Sequence, residues 1–449
     1  MNTGLQLQTC TRLPVRSIRT LLGLLSVALL SGLTGGCAPE ENANSPEVTS
    51  NAVVVEWGEI AFDAALAHDG FEDFAVNLRG MTMMHLAVHD ALNSIMPSYA
   101  RYALAGPMQR LAHPSAAAAQ AARDVLVDIY PAQQETFDSA LTTYLARVSD
   151  GEGKTLGIEL GKEAAGAILS ERSGDRWDMT GSYVPDSPPK AGDYQFVPPF
   201  DFVFRPDFGD AEPFGIESGT QFRSGPPPDL ASSDYTTAYD EVKALGARYH
   251  SSRSEDQSHE AAWWYEFAEI GWNRIANQLV RQRGVALYPA ARLFALVNMG
   301  LSDAYVAIWN AKRHYDRWRP YTAIRAGDTD GNAETDADRD WEPSCITPPT
   351  WEYPSAHAMQ SASAAEMLAA ALGTDDIAFT ATSTTAPEER PARSFTRLRA
   401  AAAEAADSRV LCGIHFRFAT DAGLREGQAL ARSILGQHLR PMGDSDHAD

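Results

Sequence analysis

The feature that most constrains this chain is a run of Ala-rich apolar segments between residues 74 and 435, spaced at the helix period, with almost nothing at the strand period. Apolar residues three and four apart line one side of a helix, whereas a half-buried strand alternates. Met81, Met84, Leu86, Ala87, Val88, Leu92 and Ile95 fall on one broad side of a helix that starts near Phe74 and ends near Pro97. The same period predicts helices over 116–130 (stopped by Pro131), over 137–148, and over 157–170, where Ala and Gly permit close packing. Further helices are expected over 235–246, 260–281, 289–315, 355–372 and 395–435, the last with a break near Asp407. Only 51–57 reads as extended. The expected fold is all-α, two helical bundles packed together.

One stretch breaks the pattern. Over 173–232, Gly and Pro recur, as in Pro188-Pro189, Pro198-Pro199 and Pro226-Pro227-Pro228. An irregular segment this long inside a compact unit is usually functional or disordered. Its aromatics Tyr194, Phe196, Phe200, Phe202 and Phe204 indicate that it packs onto the body. The expected layout is a leader at 1–36, a flexible tether at 37–60, an N-terminal helical region at 61–235 containing the excursion 173–232, and a C-terminal helical domain at 236–440.

The leader reads as a secretory signal. Arg12, Arg16 and Arg19 precede an apolar run over 21–33, too short to span a bilayer. The run closes on Leu33-Thr34-Gly35-Gly36-Cys37, which resembles a lipoprotein box with Thr34 where Leu is usual. Cleavage there would leave Cys37 as a lipid anchor; the alternative is ordinary signal cleavage and a soluble exported protein. No other stretch is expected to reach membrane-spanning length. Residues 1–36 hold three Arg and no acid, so their removal takes the formal charge from -22 to -25. Such an acidic surface repels polyanions and excludes nucleic acid as a partner. Cys10 leaves with the leader, so Cys345 and Cys412 remain, either as a disulfide in an oxidising compartment or as two buried thiols.

Three segments carry chemistry. In Lys312-Arg313-His314-Tyr315-Asp316-Arg317-Trp318-Arg319-Pro320, Lys312 and Arg319 are seven apart, close to two helical turns, with Pro320 ending the helix. The bland alternative is a basic helix end that complements the macrodipole. In Tyr353-Pro354-Ser355-Ala356-His357, Ser355 sits where a helix starts, so its hydroxyl and the first free N–H groups form an oxyanion site beside His357. An ordinary Ser cap with an incidental His is the alternative. In Ser408-Arg409-Val410-Leu411-Cys412-Gly413-Ile414-His415, Arg409 brings a planar fork of donors. His415 lies in an apolar stretch, where a lone His is usually a satisfied core residue. Taken together, these are too many positive groups for a metal cation. They suit a phosphate-like oxyanion, with one His as nucleophile or apical ligand and the other as acid/base.

The three segments resemble the pattern K-x6-R-P, P-S-G-H, S-R-x5-H of the type 2 phosphatidic acid phosphatase superfamily, which includes the vanadium-dependent haloperoxidases. Tyr239-Asp240-Glu241-Val242-Lys243, Ala291-Arg292-Leu293-Phe294-Ala295, the run from Trp318 to Arg325, Gly413-Ile414-His415-Phe416-Arg417 and the stretch 221–228 are similar to the bacterial haloperoxidase branch. The similarity extends over about residues 70 to 440. The resemblance implies a vanadium haloperoxidase-like fold and vanadate as cofactor. Lys312, Arg319 and Arg409 would bind its oxygens, with Ser355 and the Ala356 amide as further donors. His357 would act as acid/base, and His415 would bond vanadium, or attack phosphorus in the phosphatase relatives. It also implies hydrogen peroxide, a halide and an organic acceptor as reaction partners.

Three departures from the family pattern matter. Ala356 replaces Gly but keeps the N–H. Ala419 stands four after His415, where Asp is frequent, and Asp421 lies on a different helical face. Thr350 stands seven before His357, where relatives carry Phe or His. The competing functions are an exported acid phosphatase or phosphotransferase using the same pocket, and a non-catalytic oxyanion-binding lipoprotein. The acidic loop 328–340 fails the EF-hand spacing and reads as solvated, and His85, His89 and Asp90 read as helix–helix polar contacts.

Overall fold

A computed structural model describes residues 50–443. The leader at 1–36 with Cys10, the anchor candidate Cys37 and the tether up to residue 49 lie outside the described residues. The described residues form thirteen α-helices: α1 Ala52–Asp69, α2 Phe74–Asn93, α3 Pro114–Ile129, α4 Gln134–Leu145, α5 Glu152–Glu171, α6 Ser233–Leu245, α7 Glu255–Trp263, α8 Ala268–Arg283, α9 Leu287–Tyr315, α10 Pro320–Arg325, α11 Ala356–Leu372, α12 Leu398–Leu411 and α13 Arg417–Gln437. The one sheet among them is an antiparallel hairpin, β1 Asp376–Thr382 with β2 Ala392–Arg397. The all-α class therefore holds, and 173–232 is irregular apart from a short 3₁₀ turn at Phe208–Asp210.

Helix α9 is the axis of the fold. It packs against α2 of one bundle (α2, α3, α5) and against α11 of the other (α11, α12, α13). By length and composition it could cross a membrane, contrary to the expectation from sequence, but 94% of its apolar window is buried in protein. One hydrophobic cluster runs from Trp57 through Leu293 to Ile434, so the core crosses the expected boundary at 235/236.

Four local expectations are corrected. Residues 52–60, assigned to extended chain and tether, form the first turns of α1. Val53, Val54, Val55 and Trp57 are all buried, so packing on α2 and α3 outweighs the strand preference of β-branched residues. The span 260–281 is two helices. A capping box at Ser254 and Gln257 starts α7 early, and the chain breaks after Trp263, where Trp264 packs on Trp272 and Phe395. The break expected near Asp407 comes later, at Gly413, whose φ of 76° suits glycine. Strand β2 occupies 392–397 and takes the first three residues of the helix expected over 395–435; Ile377, Phe379 and Ala381 of its partner β1 alternate inward.

Two glycines set how closely the C-terminal bundle packs. A Cβ on Gly423 would lie 2.5 Å from the Ser355 carbonyl, and one on Gly427 would lie 2.2 Å from that of Met359. Helix α13 therefore rests directly on the first turns of α11. The excursion packs onto the α9–α10 turn: Tyr194 N–H donates to the Asp316 carbonyl at 2.7 Å, and Tyr183 Oη donates to Asp316 Oδ1 at 2.6 Å. Of its aromatics, Tyr194 is buried, whereas Phe202 stays 45% exposed.

Candidate functional site

The three segments converge, though not by the local geometry first expected. Helix α9 ends at Tyr315, with Asp316 as a left-handed cap, and Pro320 begins α10 instead of ending α9. Lys312 thus projects from the last turn of one helix, while Arg319 is the N-cap of the next. The turn between them brings both cations to the segment 350–352. Lys312 Nζ donates to the carbonyls of Trp351 and Glu352 at 2.5 and 2.9 Å, and Arg319 Nε donates to that of Thr350 at 2.8 Å.

Ser355 caps α11, its Oγ accepting from Ala358 N–H. Ala356 and His357 follow as the first two helical residues, with amides that no earlier turn can satisfy. His415 arrives on the turn between α12 and α13. Its Nε2 lies 3.1 Å from Arg319 Nη1, which also donates to the Ile414 carbonyl at 2.7 Å. Its Nδ1 lies 3.0 Å from Glu352 Oε1. Arg409, in the last turn of α12, donates through Nη2 to the Trp264 carbonyl at 2.8 Å. That carbonyl also supports the charged form of His357.

Electrostatics define what this arrangement lacks. Lys312, Arg319 and Arg409 are all buried. Burial pushes Lys312 well below the usual lysine value, and Arg319 pushes the same way. Burial likewise takes Arg319 and Arg409 down to about 10. His357 is held well below the ordinary imidazole value by burial and Arg409. His415 is held there by burial, then Arg319, Lys312, Arg409 and His357. Burial raises Glu352 to about 7, against the Phe416 N–H and the charges of Lys312, Arg319 and Arg317. Three buried cations around one carboxylate leave a positive excess that an oxyanion would neutralise, and His357 Nε2 is buried without a hydrogen-bond partner. The donor set therefore fits a tetrahedral oxyanion such as vanadate or phosphate.

Sequence reasoning missed Glu352 and the Trp264 carbonyl. Glu352 carried a weak signal, a carboxylate within the Pro- and aromatic-rich run that leads to His357; a backbone acceptor carries none. Asp421 is not brought to His415: its charged neighbours are Arg417, Arg425, Asp407 and Glu241. Cys345 and Cys412 are joined as a disulfide beside Arg409, whose Nη2 lies 3.8 Å from Cys412 Sγ. In the acidic loop, Asp330 is occupied by Asn332 N–H and Thr335 Oγ1. Asp90 accepts from the amides of Tyr102, Ala103 and Leu104, and His85 stacks on Phe294, as structural contacts.

Known proteins are similar to this chain in sequence and in fold. A family model, the VCPO second helical-bundle domain, matches residues 292–443, which include all three segments. Vanadium chloroperoxidase of Curvularia inaequalis is 25% identical over 366 residues, covering 63% of this chain and 59% of that protein. The chain thus spans less than two thirds of the length of that curated relative. The crystal structure of a bacterial vanadium-dependent iodoperoxidase aligns with a TM-score of 0.74 at 22% identity, covering 90% of this chain and all of that one. A holo-type bacterial vanadium-dependent chloroperoxidase aligns at 0.66 and 17% identity, covering 82% and 93%. The chain thus shares the fold of these bacterial proteins, and its residues 292–443, which hold all three site segments, are similar to the second helical bundle of vanadium haloperoxidases.

Proposed function

We propose that this chain is a vanadate-dependent haloperoxidase that oxidises a halide with hydrogen peroxide. The observation that carries the reading is the buried His415 imidazole, set among Lys312, Arg319 and Arg409 with its Nε2 directed at Arg319. In this reading Lys312, Arg319 and Arg409 hold vanadate oxygens, and the Ser355 hydroxyl and Ala356 amide add donors at the α11 N-terminus, where the helix dipole favours an anion. His415 supplies the protein bond to vanadium. Vanadate, when bound, supplies the Lewis-acid centre at which peroxide is activated toward halide. His357 is neutral beside the cations, with Nε2 free to accept a proton from peroxide and return one. An anion in the cradle raises the basicity of this imidazole, because negative charge favours its protonated form. Burial keeps the site dry, so each charge acts at short range with little screening.

Export across the inner membrane and lipidation at Cys37 form part of the proposal; the Cys345–Cys412 disulfide supports an oxidising compartment. The organic acceptor of the oxidised halogen follows from the same reading.

The test is halogenation of a phenol acceptor by purified apo-protein in hydrogen peroxide plus bromide or iodide, with and without orthovanadate. Product that depends on vanadate supports the reading. Vanadate binding without product points to the non-catalytic oxyanion binder, and phosphate-ester hydrolysis blocked by vanadate points to the phosphatase; either overturns it.

A further inference from the structure

We propose that Glu352 is the positioning residue for His415: it fixes the imidazole proton on Nδ1 and keeps the Nε2 lone pair facing the Arg319 side of the cradle. The inference rests on the reading of His415 as the group that bonds the bound oxyanion, whether at vanadium or at phosphorus.

Contacts on both ring nitrogens lead to the same tautomer. Glu352 Oε1 lies 3.0 Å from His415 Nδ1 and accepts the Phe416 N–H at 3.0 Å. An ionised carboxylate oxygen has only lone pairs to offer, so with Glu352 ionised Nδ1 brings the proton. On the other edge, Nε2 lies 3.1 Å from Arg319 Nη1, and a guanidinium has only donors. Nε2 must therefore be the acceptor. Arg319 is in turn fixed by the carbonyls of Thr350 and Ile414, so it does not swing to suit a different ring.

Glu352 is itself held. Its N–H donates to the Arg317 carbonyl at 2.9 Å, its own carbonyl accepts from Lys312 Nζ, and its side chain is fully buried. Its second oxygen, Oε2, is buried with no hydrogen-bond partner. Helix α13 brings no carboxylate of its own to the ring: Ala419, the next residue on that face, offers a methyl packed on Tyr353 and Ala422. The orienting group instead arrives from 63 residues earlier in the chain, on the segment that leads into Ser355 and His357. One residue thereby ties the His415 ring to the Lys312 and Arg319 cradle. A ligand imidazole oriented through its other nitrogen by a carboxylate gains basicity as well as a fixed direction.

The competing view is that Glu352 is only a buried negative charge near an anion site. The two views predict opposite signs. Removing a bystander charge strengthens anion binding, whereas removing an orienter weakens it. Orthovanadate affinity is measured by equilibrium dialysis on wild type, Glu352→Ala and Glu352→Gln. We expect Glu352→Ala to bind roughly 10- to 100-fold more weakly. Glu352→Gln keeps an acceptor oxygen for Nδ1 and recovers most of that loss. Equal or tighter binding by Glu352→Ala overturns the proposal.

A second readout needs neither variant to fold. In vanadate-free wild type labelled with ¹⁵N-histidine, long-range ¹H–¹⁵N correlation should show His415 protonated at Nδ1 and bare at Nε2, with the resonances assigned by their loss in His415→Ala. A proton on Nε2 overturns the proposal. Absence of halide oxidation in wild type would remove the haloperoxidase reading and leave the tautomer result standing.

Discussion

Cutting the Cys345–Cys412 bridge should destabilise the folded unit by a calculable amount while leaving most of the anion site in place. The two cysteines are 67 positions apart. For a closed loop of that size, the loss of unfolded-chain entropy is worth about 4 kcal/mol at 25 °C. With an unfolding entropy of roughly 2 cal/mol/K per residue over some 400 residues, that converts to a fall of about 5 °C in Tm. The native contacts around the bridge do not depend on sulfur. Cys345 N–H donates to the Cys412 carbonyl at 3.1 Å, and Ser344 Oγ donates to that of Leu411 at 3.0 Å. Arg409 keeps its bond to Trp264. The double variant Cys345→Ser/Cys412→Ser should therefore melt about 5 °C lower by calorimetry, yet bind orthovanadate within about tenfold of wild type. Reductant should lower the Tm of wild type and leave the variant unchanged. Free thiols at both Cys345 and Cys412, located by alkylation and peptide mapping of denatured, non-reduced protein, or identical melting of variant and wild type, would refute the reasoning.

Arg409→Ala should weaken orthovanadate binding by roughly 10- to 100-fold, the loss of a charge-assisted pair of about 1.5–3 kcal/mol. Its apo-protein should lose little stability, because one of three mutually repelling buried cations is gone; dialysis and calorimetry on one preparation check both. Glu269, buried against Tyr305 Oη and Gln360, is pushed by burial from 4.5 up to about 7. An acid with a raised folded pKa stabilises fully below its unfolded value, and that contribution is lost as pH rises through the folded one. Glu269→Gln should therefore flatten a decline of about 3 kcal/mol between roughly pH 4.5 and 7 in urea titrations; an unchanged pH profile counts against it. For the proposed anchor, Cys37→Ser should move the protein from the membrane fraction to the soluble one, and equal partitioning of both forms removes lipidation from the account.

What the sequence made legible is local chemistry. Lys312, Arg319, Ser355, Arg409 and His415 stood out because an oxyanion needs those residue types, and the structure gathers their segments at one place. The route by which they meet was not legible. The shared side of one helix inferred for Lys312 and Arg319 gives way to a turn, since Asp316 adopts a left-handed cap that no apolar period announces. Glu352 was invisible as a partner because its contact with His415 spans 63 positions, and spacing rules reach only one or two turns. The α1 start misled for the opposite reason: Val53, Val54 and Val55 carry strand preference, but burial against other helices decides. The inward alternation of Ile377, Phe379 and Ala381 was present in the sequence and hidden by the Ala-rich helices around it.

The central claim is that this oxyanion cradle uses vanadate as a cofactor, with His415 as its protein bond. The most direct measurement titrates orthovanadate into apo-protein while following two reactions in parallel, bromide-dependent peroxide consumption and p-nitrophenyl phosphate hydrolysis, in wild type and His415→Ala. The account predicts that peroxide consumption rises from zero and saturates in wild type, stays flat in His415→Ala, and is competed by phosphate. Strong phosphate-ester hydrolysis that vanadate inhibits, with no halide-dependent peroxide consumption at any vanadate concentration, would contradict it.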